Sequence, residues 1–133
     1  MQQPPSALAE AREWLARADQ DLQVARLVMQ AEQPVLAAVA YHAQQAAEKG
    51  LKAFLAARSA VFRPTHNLEE LLAQCVAIDA GFAQFRATAQ TLTPYATRFR
   101  YPGGPLEPPA ADAQRGLQLA EDLVRFIRGR LGV

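Results

Sequence analysis

Cysteine occurs once in the 133 residues, at Cys75, so no internal disulfide can form and no cysteine-based zinc site can be built. Its helical spacing from Leu68, Leu71 and Leu72 reads as a small buried hydrophobe, not a nucleophile. No apolar run approaches the length of a membrane span. No basic N-terminal stretch precedes an apolar one, so no signal peptide is expected and the expected compartment is the cytoplasm. Isoleucine and threonine are sparse while alanine and leucine are abundant, a balance that favours helix over strand. Charge of a single sign is also lacking. The net charge is +1, so any attraction to nucleic acid or an anionic membrane must come from a local patch. Gly103-Gly104 lacks the spacing and the strand-to-helix setting of a phosphate-binding loop. No Ser/His/Asp set and no paired-carboxylate pocket can be assembled. With only two histidines, separated by a helix and a turn, no metal site or cofactor is expected.

What remains is a helical pattern in a chain that is 50% apolar and 20% charged, long enough for one globular domain over residues 1–133. Met1 to Ser6 reads as a polar lead, with Ser6 as cap of a first helix to about Gln33. Leu8, Ala11, Leu15, Ala18, Leu22, Ala25 and Met29 form its packing seam. Trp14 flanks that seam as a packing or interface anchor. Glu13, Arg17 and Asp21 follow at i,i+4, where they can pair along a flank. Gln33-Pro34 breaks the chain, and Pro34 suits the first turn of a second helix to about Arg58. Its packing face is small: Ala40, Ala43, Ala47 and Gly50. Asn67, with Glu70 three residues on, predicts a capping box and a short third helix to about Ala77. A fourth helix from about Asp79 carries Phe82, Phe85, Ala89 and Leu92, and Thr93-Pro94 weakens it. Tyr95 to Pro109 is too rich in proline for helix. A last helix runs from Ala110 to Leu131, with Asp112 near its start and Arg128 and Arg130 near its end, as the helix dipole favours. The expected fold is all-α: an antiparallel up-and-down bundle of four main helices plus a short one.

Three features compete for a function. The chain has two lysines against twelve arginines, and both lysines lie on one helical stripe. His42, Gln45, Lys49 and Lys52 fall within an arc of roughly 80° at helical pitch. Such donors can bind a phosphate; equally, they can form a solvated face on which Glu48 satisfies Lys52. His66 precedes the third helix, where it either meets an anion or braces the turn. Tyr95, Arg98, Arg100 and Tyr101 interleave aromatics with guanidiniums. They either clamp phosphate and stack a base, or tuck the loop onto the bundle while the arginines pair with helix carboxylates.

Several segments, in order, resemble the HEPN domain of higher eukaryotes and prokaryotes. They are Trp14…Ala18…Asp21-Leu22…Ala25; Tyr41-His42-Ala43-Gln44-Gln45-Ala46-Ala47-Glu48-Lys49-Gly50-Leu51-Lys52-Ala53; Thr65-His66-Asn67-Leu68…Leu71-Leu72; Leu92-Thr93-Pro94-Tyr95…Arg98-Phe99-Arg100-Tyr101-Pro102-Gly103; and the closing amphipathic helix. The second-helix motif and the Arg-Tyr-Pro-Gly turn carry the likeness. The resemblance implies a bundle that homodimerises and binds a nucleotide or RNA. It also implies a minimal nucleotidyltransferase as partner, in a toxin–antitoxin-type system. Some relatives are metal-independent ribonucleases that use an arginine followed four to six residues later by a histidine. Arg98 or Arg100 suits the arginine place, but no histidine follows His66. Arginine cannot supply the general acid or base that cleavage needs, so the expectation is a non-catalytic module. In it Lys49, Lys52, Arg98 and Arg100 contact phosphate, Tyr95 or Tyr101 stacks, and all share a polar cleft with the stripe and His66. Two rival readings remain. One is a ribonuclease toxin with a displaced set built on Arg98 and His66. The other is a dimerisation adaptor without ligand, using Trp14 and the Ala/Gly face.

Overall fold

The structure, a computed structural model, describes residues 5–133. Helix α1 spans Pro5–Met29, α2 Leu36–Ala57, α3 Leu68–Ile78, α4 Arg86–Leu92 and α5 Ala110–Leu131. Short 3-10 turns at Ala80–Phe85 and Thr93–Ala96 flank α4. No strand occurs among the described residues. The all-α bundle is therefore as the sequence predicts, with its fourth member a composite of turn, helix and turn.

α2 is the central helix. It packs along α1 and against α5 and α3, and from Gly50 to Ala57 every residue is buried. Small side chains make this possible: Ala40, Ala43, Ala47 and Ala53 are fully buried. Gly50 shows why the face must be small. A Cβ there would sit 3.2 Å from Ile127 Cδ1 and 3.3 Å from Val124 Cγ2 of α5. One turn further along α2 the aromatic side chains collect. Phe54 and Phe82 rings lie 4.5 Å apart, and Phe126 of α5 meets Phe82 and Phe85 at 5.0 Å each. Burying each such ring contributes about 1.5–3 kcal/mol, which fixes the irregular 80–85 turn to α2 and α5.

Several boundaries differ from expectation for local reasons. Ser6 lies inside α1, not at its cap, and residues 1–4 of the expected lead lie outside the described residues. α1 ends at Met29, and Gln30 and Ala31 close a turn onto Arg26 and Val28 carbonyls. Pro34 precedes the N-cap of α2, Val35, and so stands outside the first turn. The Asn67 cap is present, its side chain accepting from the Glu69 and Glu70 amides. Its box is not reciprocal: the Asn67 amide donates to Thr65 Oγ1 at 3.0 Å, and Glu70 faces Arg63 at 3.8 Å.

Candidate functional site

The stripe on α2 is not a solvated face. It lies in the seam with α1 and under the chain that leads into α3, and His42, Lys49 and Lys52 end on two interior carboxylates. The first is Asp21 of α1, 7% exposed. One of its oxygens pairs with His42 Nδ1 at 2.7 Å and the other accepts from Lys49 Nζ at 2.6 Å. A carboxylate only accepts, so His42 Nδ1 carries the proton. Asp21 thus turns away from the flank ladder expected with Arg17, which pairs loosely with Glu13 alone, at 3.9 Å.

The second carboxylate is Glu48, 4% exposed. It accepts from Lys52 Nζ and His66 Nδ1, each at 2.8 Å, and from Gln44 Nε2 at 3.3 Å. Gln44 also donates to the His66 carbonyl at 3.0 Å and accepts from Gln45 Nε2 at 2.7 Å. Burial pushes the Glu48 carboxyl up, but the hydrogen bonds from Lys52 and His66, the Lys52 charge and the Gln44 bond outweigh it and hold the group below its ordinary range. The expected Glu48–Lys52 pair is therefore real but buried. Lys52 is 8% exposed, with its ammonium 5.4 Å from the Trp14 ring centroid. Trp14 in turn meets Phe62 edge-on at 6.4 Å. It is a packing anchor that covers the network from outside.

The arginine–tyrosine loop divides. Tyr95 is 7% exposed and packs on Phe99 and on Gly116 of α5; burial and the Asp112 charge raise its hydroxyl pKa, against a smaller pull from Arg98. Tyr95 is thus a tether and is not available to stack a base. Arg98 and Tyr101 are exposed. The Arg100 guanidinium lies 4.3 Å over the Tyr41 ring, and Tyr41 meets His42 edge-on at 5.3 Å. Among the described residues no ion pair joins Arg98 or Arg100 to a carboxylate, and no hydrogen bond or ion pair joins Arg98 to His66. Guanidinium, aromatic ring and imidazole therefore run together from the loop onto the start of α2. There His42 and Lys49 retain 28% and 23% side-chain exposure. Gln45 and Lys52 remain beneath, held by Gln44 and Glu48.

Sequence reasoning missed Asp21, Gln44 and the Glu48–His66 bond. One signal was present: Asp21 stands seven residues after Trp14 and seven before Val28, a heptad place beside the seam. No group of three histidine, cysteine or carboxylate side chains suited to a metal occurs among the described residues. No described helix is long and apolar enough to cross a membrane. Cys75 is buried, and its thiol is pushed up to about 12, mainly by burial.

A family model for the HEPN domain matches residues 11–130. The chain belongs to the HEPN family. Among solved structures this HEPN chain is similar to TT1696 from Thermus thermophilus, at 29% identity and a TM-score of 0.75, over 90% of this chain and 97% of that one. A search of curated proteins finds no match. The matched span holds both carboxylate clusters and the arginine–tyrosine loop, so these belong to the HEPN unit itself.

Proposed function

We propose that this HEPN domain is a non-catalytic module that binds a nucleotide or RNA, acts as a homodimer and partners a minimal nucleotidyltransferase in a toxin–antitoxin-type system. The observation that carries the binding reading is the Arg100 guanidinium stacked on Tyr41 beside His42. Guanidinium groups bind phosphate in a fork geometry, and aromatic faces accept bases without sequence preference. Arg98 and Arg100 supply the charge, Lys49 holds the Asp21 carboxylate beside His42, and Tyr101, 65% exposed, supplies a free ring. The partnership and the dimer rest on family membership. The late histidine of the ribonuclease motif has no counterpart in the sequence, which favours binding without cleavage.

The test is titration of the pure protein with a nucleotide and with a short single-stranded RNA, alongside Arg98→Ala, Arg100→Ala and Lys49→Ala. Binding weakened by each substitution is the expected result. No binding, or binding indifferent to all three, would end this reading. Sedimentation equilibrium reads the dimer directly, and a stable monomer at micromolar concentration would remove that part.

A further inference from the structure

The two oxygens of Asp21 do different jobs. One holds Lys49 and the other takes the Nδ1–H of His42. Which imidazole nitrogen keeps the proton is set by the hydrogen bond the other makes. With Nδ1–H committed to Asp21, the neutral ring leaves Nε2 as a lone pair. Nε2 has no hydrogen-bond partner among the described residues, and the side chain is 28% exposed. So the imidazole presents an acceptor, not a donor, and a phosphate oxygen is the wrong partner for it.

A hydroxyl is the right partner. Lys49, the other neighbour, is held by Asp21; the nearest cation without a carboxylate partner among the described residues is Arg100, separated from His42 by the Tyr41 ring. A ligand whose phosphate meets Arg100 therefore has the part next to its phosphate opposite His42, and in a nucleotide that part is the sugar. Resting on the binding reading above, we propose that Asp21 is a positioning residue that makes His42 Nε2 an acceptor for a ribose hydroxyl, so that the site selects ribonucleotides over 2′-deoxyribonucleotides. The 2′-hydroxyl distinguishes the two sugars and is a donor as well as an acceptor. Lys49 completes the device: its ammonium fills the other Asp21 oxygen and fixes the carboxylate rotamer that faces His42.

Two measurements at pH 8.5, where an ordinary imidazole is neutral, test this. Long-range proton–nitrogen NMR of the wild type reads the His42 tautomer without any ligand, and the expected signature is a protonated Nδ1 with a pyridine-like Nε2. Asp21→Asn is expected to mix the tautomers. Titrations then compare ATP with 2′-deoxy-ATP, and a six-residue oligoadenylate with its deoxy counterpart. One hydrogen bond corresponds to a preference of roughly 3- to 10-fold for the ribose forms, lost in His42→Ala and in Asp21→Asn. A wild-type His42 protonated on Nε2 overturns the proposal. Equal affinity for ribose and deoxyribose ligands overturns it too, while leaving nucleotide binding intact. If no ligand binds at all, both this proposal and the binding reading fall. The wild-type arms stand even if Asp21→Asn does not fold.

Discussion

Glu48 is the residue on which most of the interior polar chemistry depends. Its carboxylate is the common acceptor for Lys52, His66 and Gln44. Removing one partner of a buried ion pair leaves the other charge desolvated and alone, at a cost of about 3–5 kcal/mol. Glu48→Ala is expected to destabilise the fold on that scale in urea unfolding at pH 7, with Lys52 left in the seam beneath Trp14. The pH dependence follows from the lowered pKa of Glu48. A carboxyl held lower in the folded state than in the unfolded chain stabilises above its unfolded value of about 4.5, and that contribution fades as pH falls through the folded value. The stability gap between wild type and Glu48→Gln should therefore be widest near neutrality and narrow below pH 4.5. A gap constant from pH 7 to pH 3 would show that the carboxylate charge is not what matters. Only part of this cluster was legible in the sequence. Glu48 and Lys52 are one turn apart, so helical spacing alone pairs them. Asp21 lies 21 and 28 residues from His42 and Lys49, and His66 lies 18 from Glu48. Those pairings exist only once α1 and the loop before α3 have docked on α2, and no local pattern announces them.

Helix termini carry the predictions that belong to single elements. Asn67 satisfies two orphan amides of α3, and its loss to alanine is expected to cost about 1 kcal/mol. At the other end of α2 the chain closes in a Schellman pattern: the Ala60 amide reaches the Leu55 carbonyl at 2.9 Å and the Ser59 amide reaches Ala56 at 3.0 Å. The left-handed residue this motif requires is Ser59, with φ of 54°, where glycine is the usual occupant. Ser59→Gly should raise stability by about 1 kcal/mol, the scale of the strain a side chain meets in that region. Gly50 works in the opposite sense. Its face is filled by Ile127 and Val124, so Gly50→Val is expected to cost about 1–3 kcal/mol through overpacking. Denaturation midpoints of the three variants check all three signs. Helix periodicity placed α5 at Ala110–Leu131, where it stands, because one apolar stripe faces one neighbour. It also put Gly50 on the small packing face of α2, where α5 meets it. Thr93-Pro94 marked the end of α4, but periodicity could not give the 3-10 turn at Ala80–Phe85, because Phe82 and Phe85 keep a helical apolar spacing while both pack on Phe126 of α5.

For the molecule as a whole, a net charge of +1 means that no long-range field gathers a polyanion. Any affinity for RNA must come from a few cations in one place, and the interior carboxylates set how few. Asp21 and Glu48 already neutralise Lys49 and Lys52 over short distances. Arg98 and Arg100 are the nearby cations without a carboxylate partner among the described residues. Each phosphate contact on a single strand steepens the fall of log K with log salt by about 0.7. A site with two free arginines should therefore show a slope near −1.4 in fluorescence anisotropy with a labelled oligoribonucleotide between 50 and 200 mM salt, far shallower than for a strongly basic protein. Arg100→Ala should bring the slope to about −0.7 and also weaken binding at the highest salt, because its stacking on Tyr41 is lost together with its charge. If Lys52→Ala shortened the slope as much as Arg100→Ala does, the buried ion pair would have to open on binding, and the lysines of α2 would again be part of the contact surface.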